Sequence, residues 1–589
     1  MHIFLLCLIL VTVLVQGGFF PTVILLASVC LSGAGVLHAG RRPGRCVLIL
    51  AALAAVYLVC SAANGYSAPS LAQACLPAAC AAFLYLCGGL SKKQHEQLLD
   101  GLIIASGVLA GVSILAFCGV IHMDGAVTDR RLQTTFQYAN AAGAWFAAIS
   151  LLAQDRQDRR VRAWLLPNLA AMLLTRSVGA IGLYAVFQLV RLILGRAVRT
   201  LWQTAVLTHA LAAAFAAGLF LLPGWPSLPV LALLYAAGWF LDRALPVMRR
   251  LRLHWICAAL GVGAAILAAR SVRLANASGT FIERLIQIRD GFSVIWQHPL
   301  IGIGAGRWAE LYPYIQSAQY TSTVVHSSLI QLGVDAGVPA MALGVFLCVS
   351  ALRTRGRPRP WTLAAVYLLA HSLLDFTLQF FPICALMLLL LSDSQEQADA
   401  KPQKKGAKRP PVQKLRVGVA AMFACVLVIS SALLYVEQVS KQYVRATQSA
   451  SWDVILTRYP REKNLFGDST TILGAVARAQ SATGDYAGVL RTTEDAPMTE
   501  TSLLLLRARA LYAEEGMHSA CRFMLSELER QLYRKVLFEQ VAQQIVEWDA
   551  DAQYFEDYNR IADRANGSRT ALASRMQSQV AYEHIQKQP

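Results

Sequence analysis

Between residues 2 and 437 the chain repeats one pattern. Apolar runs, several of roughly 18 residues or more, alternate with short clusters of arginine and lysine. In lipid a backbone must satisfy its own polar groups, so such a chain can only fold as a bundle of membrane-spanning helices. The reading is all-α: a polytopic membrane domain of about 13–15 transmembrane helices. The chain is 56% hydrophobic and only 15% charged, where a soluble protein carries about 25% charged residues. The first run, HIFLLCLILVTVLVQ, has neither a basic start nor a small-residue cleavage site. It reads as a retained helix.

The basic clusters set the orientation. They are RRPGR (41–45), Lys92 and Lys93, RQDRRVR (156–162), Arg191 to Arg199, RRLR (249–252), RTRGRPR (353–359) and the Lys/Arg-rich 401–416. Short basic loops face the cytoplasm. Two spans fit between consecutive clusters, with the shortest spans near 161–195 and 361–393. The N-terminus is then inside, and loops near 64–69, 122–134, 174–179, 222–228 and 271–325 lie outside. Residues 440–589 carry 18 Lys+Arg against 19 Asp+Glu, so residues 1–439, with 35 basic and 16 acidic residues, carry +19 and account for the whole formal charge of +18. Topology explains it without a nucleic-acid partner. Twelve of the thirteen cysteines lie before residue 440, with no metal-type spacing, and read as small buried apolar residues.

Against this topology, Arg130, Arg131, Arg176, Arg270, Arg273, Arg284, Arg289 and Arg307 fall at or near the outer side. Each alone can meet a lipid headgroup or a surface partner; together they suggest an anion to hold. No lysine occurs between Lys93 and Lys401, so arginine over lysine adds nothing. In the longest outer loop, 271–325, Phe281, Leu285, Ile288, Phe292 and Ile295 define one face of an amphipathic helix lying on the membrane. HPLIGIGAG ends it: Pro299 stops the helix, and Gly302, Gly304 and Gly306 permit tight turns. Such a turn can cradle phosphate or serve helix packing. His326 opens the next span. Imidazole suits proton transfer near neutral pH, and equally an interfacial bond to a carbonyl.

Within the apolar region, YLLAHSLLDF places His371 and Asp375 at i and i+4, predicting one shared helix face. The pair either lines a cavity or fixes helix packing. In DRRLQTTFQYANAAGAWF (129–146), Gln137 and Asn140 enter a small-residue helix suited to close packing, with Asn140 placed to meet sugar hydroxyls. LLTRSVGAIG (173–182) forms an outer hairpin bearing Arg176 and Ser177.

Five stretches in this order resemble the O-antigen ligase and polymerase superfamily: RRLQTTFQYAN, TRSVGA, ERLIQIRDGFSVIWQHPLIGIGAGRW, VVHSSLIQLGVDAGVPA and AHSLLDF. The likeness spans roughly 120–395, and the topology extends it over about 1–437. It implies a glycosyltransferase in the bacterial cytoplasmic membrane, with its site on the outer face. Such enzymes move a glycan from undecaprenyl diphosphate to a hydroxyl acceptor, with no cofactor, nucleotide sugar or required metal. The resemblance implies that Arg131 or its neighbour Arg130, Arg176 and Arg284 hold the diphosphate, and that His326 is the base. Arg289, on the same outer helix, joins the anion-binding candidates; Asn140, Arg307, His371 and Asp375 are supporting or acceptor-site candidates. Many members have asparagine after the loop histidine; here Ser327 follows. The segment from Trp308 to His326 is also short.

The expected domains are a membrane domain over 1–395, a basic cytoplasmic linker over 396–415, a last span over 416–437 and a helical domain over 440–589. That last domain would lie outside the membrane. GDYAGVL (484–490) and EGMHSAC (515–521) repeat at a spacing of 32, which looks like tetratricopeptide helix pairs, with an unrelated helical bundle the other reading. It carries no catalytic constellation and suits binding of a protein partner or glycan. The competing classes are a transporter, for which no internal symmetry is visible, and a membrane scaffold for envelope polysaccharide export, which leaves the outer arginines without a role.

Overall fold

The structure is a computed structural model describing residues 1–65, 68–194, 198–269, 272–353, 362–392, 412–467, 469–568, 573, 576 and 579–587. Most of the predicted linker 396–415, the basic cluster beyond Arg353, and Arg270 lie outside the described residues, as does the side chain of Arg273. The chain is all-helical, at 78% helix. Strand is limited, among the described residues, to the two-residue pair Val127–Thr128 and Arg131–Leu132.

Among the described residues, six helices are long and apolar enough to cross a membrane: Arg45–Ala63, Lys92–Phe117, Val198–Leu221, Ser227–Arg250, Ser328–Leu352 and Gln413–Gln448. Eight shorter apolar helices of 10–17 residues accompany them among the described residues. At about 1.5 Å per residue, a 12-residue helix covers roughly 18 Å of a core about 30 Å thick. The short spans expected near 161–195 and 361–393 are therefore broken elements. The first is Leu165–Leu174 and Val178–Leu194, hinged where Arg176 has φ +49°. The second is Thr362–Ser372 and Phe381–Ser392, joined through a 3-10 turn at Thr377–Gln379.

The chain divides into two compact units. The first comprises 1–52, 76–275 and 343–428. Its basic loop 156–162 is tied to neighbouring helices by charge. Arg156 Nε donates to Asp100 at 2.6 Å, and Arg162 donates to both Asp242 oxygens at 2.9 and 2.6 Å. Arg191 donates to Asp155 at 2.7 Å. Large apolar side chains such as Trp239 and Ile193 stay exposed, as a lipid-facing surface requires.

The second unit comprises 53–75, 276–342 and 429–589. Helix Val272–Gln297 stops two residues before Pro299, as expected. Its two sides differ. Ile286, Asp290 and Val294 are buried, while Phe281, Leu285, Phe292 and Trp296 are exposed. Three of the five residues of the predicted apolar face are thus exposed, while Ile288 is half-buried and Ile295 buried, and the core contact centres on a different stripe. Helix Ser328–Arg353 is interrupted at Ala336 and Gly337, where φ is −144° and +74°. Residues 501–567 form successive helices, Thr501–Glu515, Met517–Arg530, Lys535–Glu547 and Ala552–Gly567, around Leu503, Leu504, Cys521, Met524, Phe538 and Tyr558. Gly484 and Gly516, the glycines of the 32-residue spacing, both adopt positive φ at helix junctions.

Candidate functional site

In the second unit His326 sits just ahead of helix Ser328–Arg353, half-buried beside helix Val272–Gln297. Its Nδ1 lies 2.5 Å from Gln287 Oε1. Gln287 is fully buried, and its Nε2 donates to Glu283 Oε1 at 3.2 Å. That second bond orients the amide, so a carbonyl oxygen faces the imidazole. An amide oxygen only accepts, so Nδ1 carries the proton and Nε2 carries the lone pair. Burial, partly offset by Arg284 and by the bond from Gln287, pushes the Glu283 carboxyl up from its ordinary range. Glu283 and Gln287 are i and i+4, and Arg284 and Gln287 are i and i+3, which puts guanidinium and imidazole anchor on neighbouring positions of one helix. Ser327 begins the next helix: its carbonyl accepts from Gln331 N at 2.9 Å and its hydroxyl from Ile330 N at 3.5 Å. Serine is a strong helix cap, which suits it to this position.

Asp290 fastens the segment leading to His326. It accepts from Ser317 N at 2.9 Å, Ser317 Oγ at 2.6 Å and Tyr320 Oη at 3.0 Å. Arg289 bonds Ser317 and pairs with Asp290. Arg307 bonds the carbonyls of Asn64 and Gly65 and pairs with Glu310. Both arginines thus hold the fold of this unit.

The glycine turn does not present its amides to a ligand. Ile303 N donates to Val334 O at 2.8 Å, Gly304 N to Asp335 O at 3.1 Å, Ala305 N to Ser61 Oγ at 3.3 Å and Gly306 N to Asp335 Oδ1 at 3.3 Å. Gly302, Gly304 and Gly306 have φ of +60°, +95° and +72°. The turn fits into the break of helix Ser328–Arg353, and this packing role replaces the phosphate cradle. Asp335, buried at the break, accepts from Gln331 Nε2 at 2.7 Å and Tyr57 Oη at 3.2 Å besides Gly306 N. A broken helix with a buried acid is also a feature of ion-coupled transporters. Here both carboxylate oxygens are committed to protein donors, which makes Asp335 a lock for the break.

In the first unit the sequence candidates form a second cluster. Asp375 is fully buried and accepts from Tyr138 Oη at 3.0 Å and Asn140 Nδ2 at 2.9 Å. The i, i+4 expectation for His371 and Asp375 fails: the helix ends at Ser372, and Asp375 lies past its last turn. His371 is buried with Nδ1 3.4 Å from Thr377 Oγ1. Asn140 uses both ends of its amide. Oδ1 accepts from Ser177 Oγ at 2.7 Å and Arg131 Nη2 at 3.4 Å, while Nδ2 also donates to Tyr138 Oη at 2.9 Å. It acts as a brace for Arg131, whose Nε donates to Thr175 O at 3.3 Å. Arg130 and Arg176 lie over one ring, with Cζ 4.3 and 5.4 Å from the Phe220 centroid. Arg176 Nη1 donates to Arg130 O at 3.4 Å.

Asp129, Arg130, Thr134, Gln137 and Arg176 all have positive φ between 49° and 56°. Non-glycine residues there cost about 1–3 kcal/mol each and concentrate at functional sites. The strain is spent where three arginines converge. Gln287, Glu283, Tyr138, Asp290 and Asp335 were not among the sequence candidates. The signal for Gln287 is its place one turn after Arg284, between Ile286 and Ile288.

No known family, curated protein or solved structure matches this chain. What fold and composition define is a multi-pass helical membrane protein.

Proposed function

We propose that the chain is a membrane glycosyltransferase that moves a glycan from undecaprenyl diphosphate to a hydroxyl acceptor at the outer face of the bacterial cytoplasmic membrane. The observation that carries the reading is the contact of His326 Nδ1 with Gln287 Oε1 at 2.5 Å: the amide oxygen accepts a hydrogen bond from Nδ1–H, the arrangement of a neutral imidazole with its lone pair on Nε2. The five-stretch likeness to O-antigen ligases and polymerases supplies the reaction class.

In this reading His326 Nε2 removes the proton from the acceptor hydroxyl as its oxygen attacks the anomeric carbon. The bond from that carbon to the diphosphate breaks, and lipid diphosphate leaves with the electron pair. The anomeric centre inverts. Arginine forks match phosphate oxygens and stay charged, so Arg284, one turn before the Gln287 that holds His326, would meet the leaving group. Charge placed at a leaving group is commonly the largest catalytic contribution. The helical C-terminal part, read as tetratricopeptide-like and extracytoplasmic, would serve binding.

The test is direct. Purified protein is incubated with undecaprenyl-diphosphate-linked glycans and hydroxyl acceptors. The proposal expects release of lipid diphosphate and a product of inverted configuration. Donors that bind and stay intact across a broad panel would refute it in favour of transport or scaffolding.

A further inference from the structure

The last described residues, 579–587, run alongside helix Ala552–Gly567, and their backbone is gripped by side-chain amides. Asn566 Oδ1 accepts from Tyr582 N at 2.9 Å and its Nδ2 donates to Tyr582 O at 3.0 Å. Asn559 repeats this on Ile585, at 2.9 Å for both bonds. Gln319 does the same with Val580, accepting from its N at 2.7 Å and donating to its O at 2.8 Å. Gln579 returns the pairing on the backbone of Gln319, at 3.0 and 3.4 Å.

The register has a simple origin. Asn559 and Asn566 are seven residues apart, about 10.5 Å along a helix. Tyr582 and Ile585 are three residues apart, roughly 10 Å along an extended chain. The two asparagines therefore meet alternate stretches of one extended backbone. Each reads both a donor and an acceptor that every non-proline residue owns. Such a grip depends on chain conformation and little on sequence.

Side chains add selectivity. Tyr582 is buried, and its ring stacks on Phe538 at 3.9 Å with planes 7° apart. His584 Nε2 lies 2.8 Å from Asp563, and Lys587 Nζ lies 3.3 Å from Asp549 and donates to Ala550 O at 3.0 Å. The ionic contacts are solvent-exposed and weak, so the tyrosine is the anchor.

We infer that this surface is a peptide-binding groove, filled by the chain's own residues 579–587, whose exchange partner is an extended segment of another protein. The partner segment carries an aromatic residue, with basic residues two and five positions after it. The tethered tail is present at high effective concentration, so it sets a threshold that a partner must exceed. Exchange also releases Gln319, seven residues before His326 in the chain, so occupancy of the groove bears on the segment that carries the histidine. The inference stands on the second unit alone and does not need the transferase reading.

The experiment uses a fluorescent peptide of residues 579–587 and anisotropy titration in detergent. It is added to the full chain, to full-length Tyr582→Ala, and to a chain ending at residue 578. The groove account expects at least tenfold tighter binding to the two variants than to wild type. Asn559→Ala with Asn566→Ala, placed in the Tyr582→Ala chain, should abolish it, and so should Tyr→Ala in the peptide. Absence of saturable binding to a Tyr582→Ala chain that still unfolds cooperatively would overturn the inference, as would binding indifferent to the two asparagines. If the shortened chain fails to fold, the Tyr582→Ala titration decides by the same criteria.

Discussion

Replacing Gly302 by alanine isolates the packing of the glycine turn into the helix break. At φ +60° a residue with a Cβ costs about 1–2 kcal/mol. The added Cβ would stand 2.4 Å from Val334 O and 2.6 Å from Asp335 C, both backbone atoms that cannot rotate away. The turn must lift, which strains the bonds from Ile303 N and Gly304 N to Val334 O and Asp335 O; each is worth about 1 kcal/mol. The expected loss is about 3–4 kcal/mol in all. Gly304→Ala is the control. Its φ is +95°, but its nearest neighbour is the flexible Arg307 Cδ at 3.1 Å, so a loss of about 1–2 kcal/mol is expected. Buried cysteines such as Cys60, Cys75 and Cys118 permit a readout by thiol-reactive dye during heating in detergent. Gly302→Ala should unfold at the lowest temperature, with Gly304→Ala between it and wild type. If Gly302→Ala matched wild type, the turn would not be seated in the break, and the phosphate cradle would return.

Three further outcomes are expected. Gln287→Leu removes the acceptor for His326 Nδ1–H, so turnover should fall about 10–100-fold with little change in KM for the lipid donor; an unchanged rate would deny Gln287 its orienting role. Glu283 is raised by burial, so it favours the folded state below the ordinary carboxylate range and loses that contribution as pH rises through the folded value. Glu283→Gln should therefore unfold at a higher temperature than wild type at pH 8, with the gap closing towards pH 4; a gap that widens on acidification would contradict the sign. Asp375→Leu removes the buried carboxylate that accepts from both Tyr138 Oη and Asn140 Nδ2 and should cost about 2–4 kcal/mol, seen as a lowered unfolding temperature.

The helical class and the membrane-spanning character were legible because long apolar runs leave few alternatives. Helix ends were less so. The pairing of His371 with Asp375 assumed that periodicity continued, but the chain leaves the helix after Ser372 and sends Asp375 to Tyr138 and Asn140, more than two hundred residues away in sequence. A partner that distant has no local signature. The same holds for Gln287, whose role depends on His326 folding back against its helix. The glycines are legible as turn residues, yet spacing alone does not say whether their amides face a ligand or Val334 and Asp335. Asn140 showed the right location with a different use, since its amide is consumed in bracing Arg131. The groove for residues 579–587 has no signature in the sequence, because asparagines seven residues apart mean nothing until a segment lies beside them.

The most direct test of the account compares wild type with His326→Ala in release of lipid diphosphate from undecaprenyl-diphosphate-linked glycan, with donor binding measured in parallel. The account predicts unchanged donor binding and a rate lower by about 10²–10⁴-fold, the usual worth of a positioned base. A His326→Ala protein that turns over at the wild-type rate would contradict it.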